Sequence, residues 1–133
     1  MFKISAVQSF DEQIQVAKEC GAVARSDFFA YVMRDCETMR IMGFSQFEIG
    51  SEGYISDLRP AIGDDDFEAM FILGRTTMNF IDMCGTHVCK AAKDAGNERL
   101  LRAVGFKQND GNYICDMTGM FDGSHCSGEA VKL

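Results

Sequence analysis

Between residues 64 and 84 the apolar side chains Phe67, Met70, Phe71, Met78 and Ile81 recur at helical steps. That spacing predicts an amphipathic helix of roughly five turns at 3.6 residues per turn. The triplet Asp64-Asp65-Asp66 opens it and Gly85 ends it. A helix with one apolar stripe must bury that stripe against another layer, so the surrounding residues have to supply a sheet. Gly74 sits in mid-helix, where it costs around 1 kcal/mol relative to alanine, and its presence predicts a close approach by another element.

The segments ahead of the helix read as strands. Phe2, Ile4 and Ala6 alternate with Lys3 and Ser5, predicting a first strand over about residues 2–7. Ser9-Phe10-Asp11-Glu12 is a capping box that opens a helix carrying Ile14 and Ala17 and stopping near Gly21. Residues 28–34, 39–49 and 54–58 are rich in aromatic and β-branched types and are separated by short polar turns, which predicts an antiparallel meander. Gly43 within it marks a bulge or a close backbone contact, and Pro60 with Gly63 ends the last of the three strands. Beyond the long helix, residues 86–92 read as a strand and Asn97 starts a short helix ending at Gly105. Residues 106–117 read as a hairpin about the turn Asn109-Asp110-Gly111-Asn112. The order β-α-β-β-β-α-β-α-β-β describes an α+β fold: a mixed, largely antiparallel sheet flanked by helices. Residues 1–121 form the single domain, and residues 122–133 read as a flexible Gly/Ser-containing tail.

Composition narrows the function classes. A chain of 133 residues, 47% hydrophobic with one proline, suffices for one packed core without staples. A net charge of −7 disfavours nucleic acid and anionic membrane as partners. No apolar run approaches the roughly 20 residues of a membrane span, and the start of the chain lacks a secretory pattern, so the expected location is cytoplasmic. The six cysteines are scattered through ordinary helix and strand patterns, and read as free, mostly buried thiols. Cys84, His87 and Cys89, with His125 and Cys126, are metal-ligand types, but their spacing does not form paired knuckles. No metal site is expected, and His87 and Cys89 read as one face of a strand. No nucleophile elbow accompanies Cys89 or Cys126. The nine methionines read as core filling, or as the lining of an adaptable pocket or subunit interface.

Three stretches, in this order of elements, resemble the GNAT superfamily of N-acetyltransferases. Glu37-Thr38-Met39-Arg40-Ile41-Met42-Gly43-Phe44-Ser45-Gln46-Phe47 is similar to the family's second and third strands. Tyr54-Ile55-Ser56-Asp57-Leu58-Arg59-Pro60 is similar to its fourth, and Asn97-Glu98-Arg99-Leu100-Leu101-Arg102-Ala103-Val104-Gly105-Phe106 to its closing helix and Gly-Phe. The resemblance covers about residues 1–118. It implies acetyl-CoA bound between splayed fourth and fifth strands, and acetyl transfer to an amine. It assigns Leu58, Arg59, Gly63, Asp64 and Asn97 as candidate cofactor contacts, and Asp57 or Glu48 as candidate general base.

The chain departs from the family pattern at decisive positions. The family's phosphate loop, Arg or Gln followed by Gly-x-Gly or Gly-x-Ala, places backbone N–H groups around a pyrophosphate. Arg59-Pro60-Ala61-Ile62-Gly63-Asp64-Asp65-Asp66 has one glycine and three carboxylates there. Like charges about 4 Å apart cost on the order of 4 kcal/mol at an effective dielectric of 20, so several such contacts offset most of a micromolar affinity. The aspartates are better suited to capping the helix. The family's tyrosine acid falls at Leu101, which holds no proton to give, and its asparagine falls at Asp94, or at Asn97 if the helix is shorter. The expectation is a divergent GNAT-like domain with a degraded acetyl-CoA site that binds a small molecule or a protein partner. The alternative is an active acyl-CoA-dependent N-acyltransferase with an unusual phosphate loop. A homodimer through exposed apolar residues such as Phe28-Phe29 or Met120-Phe121 is a further option.

Overall fold

The structure, a computed structural model, describes residues 1–121. The expectations about the tail, with His125 and Cys126, lie outside the described residues. In chain order the elements are β1 (Phe2–Ala6), α1 (Phe10–Glu19), β2 (Phe29–Asp35), β3 (Ile41–Ile49), β4 (Gly53–Pro60), α2 (Phe67–Met83), β5 (Val88–Ala91), α3 (Glu98–Val104), β6 (Lys107–Asn109) and β7 (Asn112–Asp116). This is the order the sequence predicts. The strands form one seven-stranded sheet in the order β1-β2-β3-β4-β5-β7-β6. Every neighbouring pair is antiparallel except β4 with β5, which α2 connects as a crossover.

Several boundaries depart from the sequence reading, each for a local reason. Helix α1 is capped as expected, with Glu12 N–H donating to Ser9 Oγ, but Glu12 Oε1 reaches back to the Gln8 N–H rather than to that of Ser9. Strand β3 starts at Ile41 because Met39 adopts φ 62°, a left-handed turn conformation. Pro60 does not end β4 from outside; it is the strand's last residue, opposite Gly43. Helix α2 opens later than residue 64. The N–H of Asp64 is spent on Ala61 O in a turn through Gly63 at φ 90°, and Asp66 is the N-cap, its side chain accepting from the Ala69 N–H. His87 lies outside β5; it is exposed and pairs with Asp82 at 2.6 Å, whereas Cys89 is fully buried. The two therefore do not share an environment.

Each face of the sheet carries its own core. Val16, Ala17 and Cys20 around α1 cover Ala30, Val32, Ile41 and Phe44 on one face. On the other, α2 and α3 bury Met70, Leu73, Met78, Leu100 and Leu101 against Phe47, Ile55 and Leu58. Burying each such large side chain contributes about 1.5–3 kcal/mol. Cys20, Cys89 and Cys115 are buried, while Cys36 and Cys84 are exposed. Burial pushes the Cys20 thiol up to about 12 and raises Cys89 and Cys115 as well, which makes these thiols poor nucleophiles. Among the described residues no helix is long and apolar enough to cross a membrane.

Glycines set the helix–sheet distance. A Cβ on Gly43 would lie 2.7 Å from Met70 Sδ, and the register shift of the β2–β3 pairing falls beside it at Met42, so both alternatives raised for this glycine occur there. One on Gly74 would meet Val104 Cγ1 at 2.9 Å and Leu58 Cδ2 at 3.0 Å. Gly74→Ala gains about 1 kcal/mol of helix propensity, yet overpacking of this kind costs about 1–3 kcal/mol. The expected result in urea unfolding is a net loss of about 1 kcal/mol, against the sign that propensity alone predicts.

Candidate functional site

The sheet opens in the middle. Strands β4 and β5 pair only from Gly53↔Cys89 to Ile55↔Ala91, and the last bond across them is Ala92 N–H to Ile55 O at 2.9 Å. Beyond it β4 runs on to Pro60 with β3 as its one strand neighbour among the described residues. A register shift between Gln46 and Phe47 leaves Ser56 as the extra residue of a bulge. A bulge re-aims side chains, and here the consecutive Ser56 and Asp57 both reach Gln46.

The segment after β5 turns back into the opening. Leu58 N–H donates to Ala95 O at 2.7 Å, and Arg59 Nη2 donates to Asp94 O at 2.7 Å. A Cβ on Gly96 would lie 2.5 Å from Leu58 O, so only glycine permits this approach. The free edge of β4 is thus occupied by the chain's own loop.

A cavity lies to either side of this contact. One, of about 330 Å³, sits between the starts of α2 and α3, lined by Asp64, Asp65, Asp66, Phe67, Asn97 and Arg99. Asp64 is paired with Arg40 at 2.7 Å, Asp66 is the α2 cap, and Asn97 Oδ1 caps α3 by accepting from the Leu100 N–H. Arg99, the one basic residue in this lining, stacks on the Phe67 ring at 4.0 Å. The acidic triplet is therefore partly compensated, and only Asp66 caps the helix itself.

The second cavity, of about 240 Å³, lies beside the loop that follows α1, with Arg25, Tyr54, Ser56, Asp57 and Arg59 in its lining. A buried polar network forms its floor. Gln46 Oε1 accepts from Gln13 Nε2 and from the Arg25 N–H, each at 2.7 Å. Gln46 Nε2 donates to Val23 O at 3.1 Å and to Asp57 Oδ2 at 2.8 Å. Ser56 Oγ donates to the same Asp57 oxygen at 2.8 Å, and Arg59 Nε donates to Asp57 Oδ1 at 2.9 Å. Both oxygens of Asp57 are committed, and its charge is matched by Arg59.

The sequence candidates are thus divided. Asp64 and Asn97 meet in the first cavity; Asp57 and Arg59 belong to the second. Leu58 is fully buried between them, and a Cβ on Gly63 would have no neighbour within 4 Å. Glu48 is exposed and lines a separate cavity at the β3–β4 turn with Glu52 and Lys90. Leu101 is fully buried in the core. Sequence reasoning missed Gln13, Arg25, Gln46 and Ser56. The signal available was Gln46, a carboxamide inside the apolar run Phe44-Ser45-Gln46-Phe47, since a buried amide requires partners. Among the described residues no group of three metal-ligand side chains converges.

No family model matches the sequence, and no curated protein matches it. Solved structures do. The ribosomal-protein-S18-alanine N-acetyltransferase from Escherichia coli aligns over 86% of this chain and 91% of its own, at TM-score 0.62 and 12% identity. The chain has the N-acetyltransferase fold. The PaiA N-acetyltransferase from Thermoplasma acidophilum, solved in complex with coenzyme A, aligns over 84% of this chain and 96% of its own, at TM-score 0.59 and 12% identity.

Gln46→Leu removes an amide whose partners stay buried. It is expected to cost about 3 kcal/mol in urea unfolding, since each stranded polar group costs about 1–3 kcal/mol. Hydrogen exchange at Arg25 is expected to accelerate, because its N–H loses its acceptor.

Proposed function

We propose that this chain is a binding domain built on the N-acetyltransferase fold, with a degraded acetyl-CoA site. The observation that carries this reading is the hydrogen bond from Leu58 N–H to Ala95 O. In a splayed sheet that amide lies on the open strand edge where a pantetheine arm would find backbone donors; here it is spent within the chain. Asp64, Asp65 and Asp66 line the neighbouring cavity, where a diphosphate would need N–H donors. Leu101 offers no proton at the position of the family's acid. The residues present do not fit coenzyme A, and no chemical step is assigned to it.

Titration calorimetry with acetyl-CoA tests this. The expected result is no saturable heat up to about 1 mM; a dissociation constant near 5 μM, worth about 7 kcal/mol, overturns the reading. Gly96→Ala forces a Cβ against Leu58 O and is expected to push the loop off β4. Amide exchange at Leu58 should then rise at least tenfold, while the bonds between Gly53–Ile55 and β5 keep their protection.

One observation favours a second reading, an active acyltransferase: the strands still splay beyond Ile55. That reading requires residues 92–97 to leave the opening. Thiol release from a panel of acyl-CoA thioesters in the presence of amines supports it, and silence across the panel counts against it.

A further inference from the structure

The second cavity holds more hydrogen-bonding capacity than its own network uses. Arg59 is fixed at two points, Nε on Asp57 and Nη2 on the Asp94 carbonyl. A guanidinium carries five N–H donors, so three have no partner among the described residues. The side chain is 29% exposed, open enough to meet a ligand and held too firmly to swing away. Arg25 adds a second guanidinium, which has no ion pair among the described residues and sits over Phe28 at 5.3 Å. Phe28 packs edge-on against Tyr54 at 6.3 Å. The Tyr54 hydroxyl has no hydrogen-bond partner among the described residues either. In a chain of net charge −7, this lining is charge-balanced, with Arg25 and Arg59 against Asp57 and Asp94, and it adds the Tyr54 side chain.

We infer that the cavity between the α1–β2 loop and the end of β4 binds a small organic carboxylate, held by the free N–H edge of Arg59, by Arg25 and by the Tyr54 hydroxyl. Planar guanidinium donors match a carboxylate in pairs. Asp57 and Arg59 offset one another in charge, so Arg59 contributes N–H donors to the ligand and Arg25 the positive charge left unpaired among the described residues. Asp94 lines the same cavity, and its exposed carboxylate disfavours a second negative charge on the ligand while accommodating an amino group. A volume of about 240 Å³ suits a ligand of amino-acid size. The inference rests on the binding reading above, and gives that reading a ligand class.

Amide NMR titration of the full chain with acetate, glycine, succinate and propylamine, each as a separate probe, tests it. Acetate and glycine are expected to give saturable shifts at Arg25, Tyr54 and Arg59, with succinate weaker. Arg25→Gln and Tyr54→Phe should each weaken glycine binding about fivefold at unchanged melting temperature. Saturation by propylamine without the carboxylates overturns the inference, as does silence with all four probes or undiminished binding by both variants. Acetyl-CoA added to the same sample reports separately: saturable shifts over residues 58–66 overturn the binding reading and leave the carboxylate result standing.

Discussion

A single buried carboxamide holds the two halves of the site in register. Gln46 has two acceptor lone pairs and two N–H donors, and all four find partners: Gln13 and the Arg25 amide on the oxygen, Val23 O and Asp57 on the nitrogen. The backbone partners also fix which end is which, because an amide N–H faces one end and a carbonyl the other. Through this side chain, helix α1, the loop that follows it and the bulged part of β4 are tied to β3. The bulge at Ser56 makes it possible by turning two consecutive residues toward one partner. An apolar residue at position 46 would leave Asp57 with Ser56 as its remaining neutral donor and would strip the loop of the anchor at the Arg25 N–H and Val23 O.

The opening between β4 and β5 follows from the same bulge and the same short ladder. Once β4 turns away beyond Ile55, its outer edge has donors to satisfy, and the loop after β5 satisfies them at Leu58. Gly96 is the permissive residue, since any Cβ would strike the Leu58 carbonyl oxygen. The fold keeps the splay seen as a family expectation and then spends it internally. Polar groups that are unused remain beside Arg59, on the α1 side of the sheet.

Element order, sheet class and both helix caps at Ser9 and Asn97 were legible in the sequence, because periodicity and capping are local. The triplet at 64–66 was legible only in part. Composition placed three carboxylates at a helix start, but whether Asp64 belongs to the helix depends on a turn at Gly63 and on Arg40 arriving from the β2–β3 connection. His87 and Cys89, two residues apart, read as one strand face; the strand begins one residue too late for that. The Gln46 network was not read at all, although a glutamine within an apolar strand was its visible sign. Its partners lie 10 to 33 residues away, beyond the reach of any local pattern. The loop closure at Leu58 was likewise out of reach, because it depends on where two parallel strands stop pairing.

The parallel ladder has a mechanical consequence. Three register pairs, Gly53↔Cys89 through Ile55↔Ala91, are the whole seam between the four-stranded and three-stranded portions of the sheet. Compliance in such a sheet concentrates at its narrowest stitch, and the Leu58 bond acts as a clasp placed beyond that stitch. The longer helix bridges the seam as a brace, with Gly74 admitting both Val104 and Leu58 to its surface. Torque between the two portions is therefore borne by side-chain packing under this brace more than by backbone pairing.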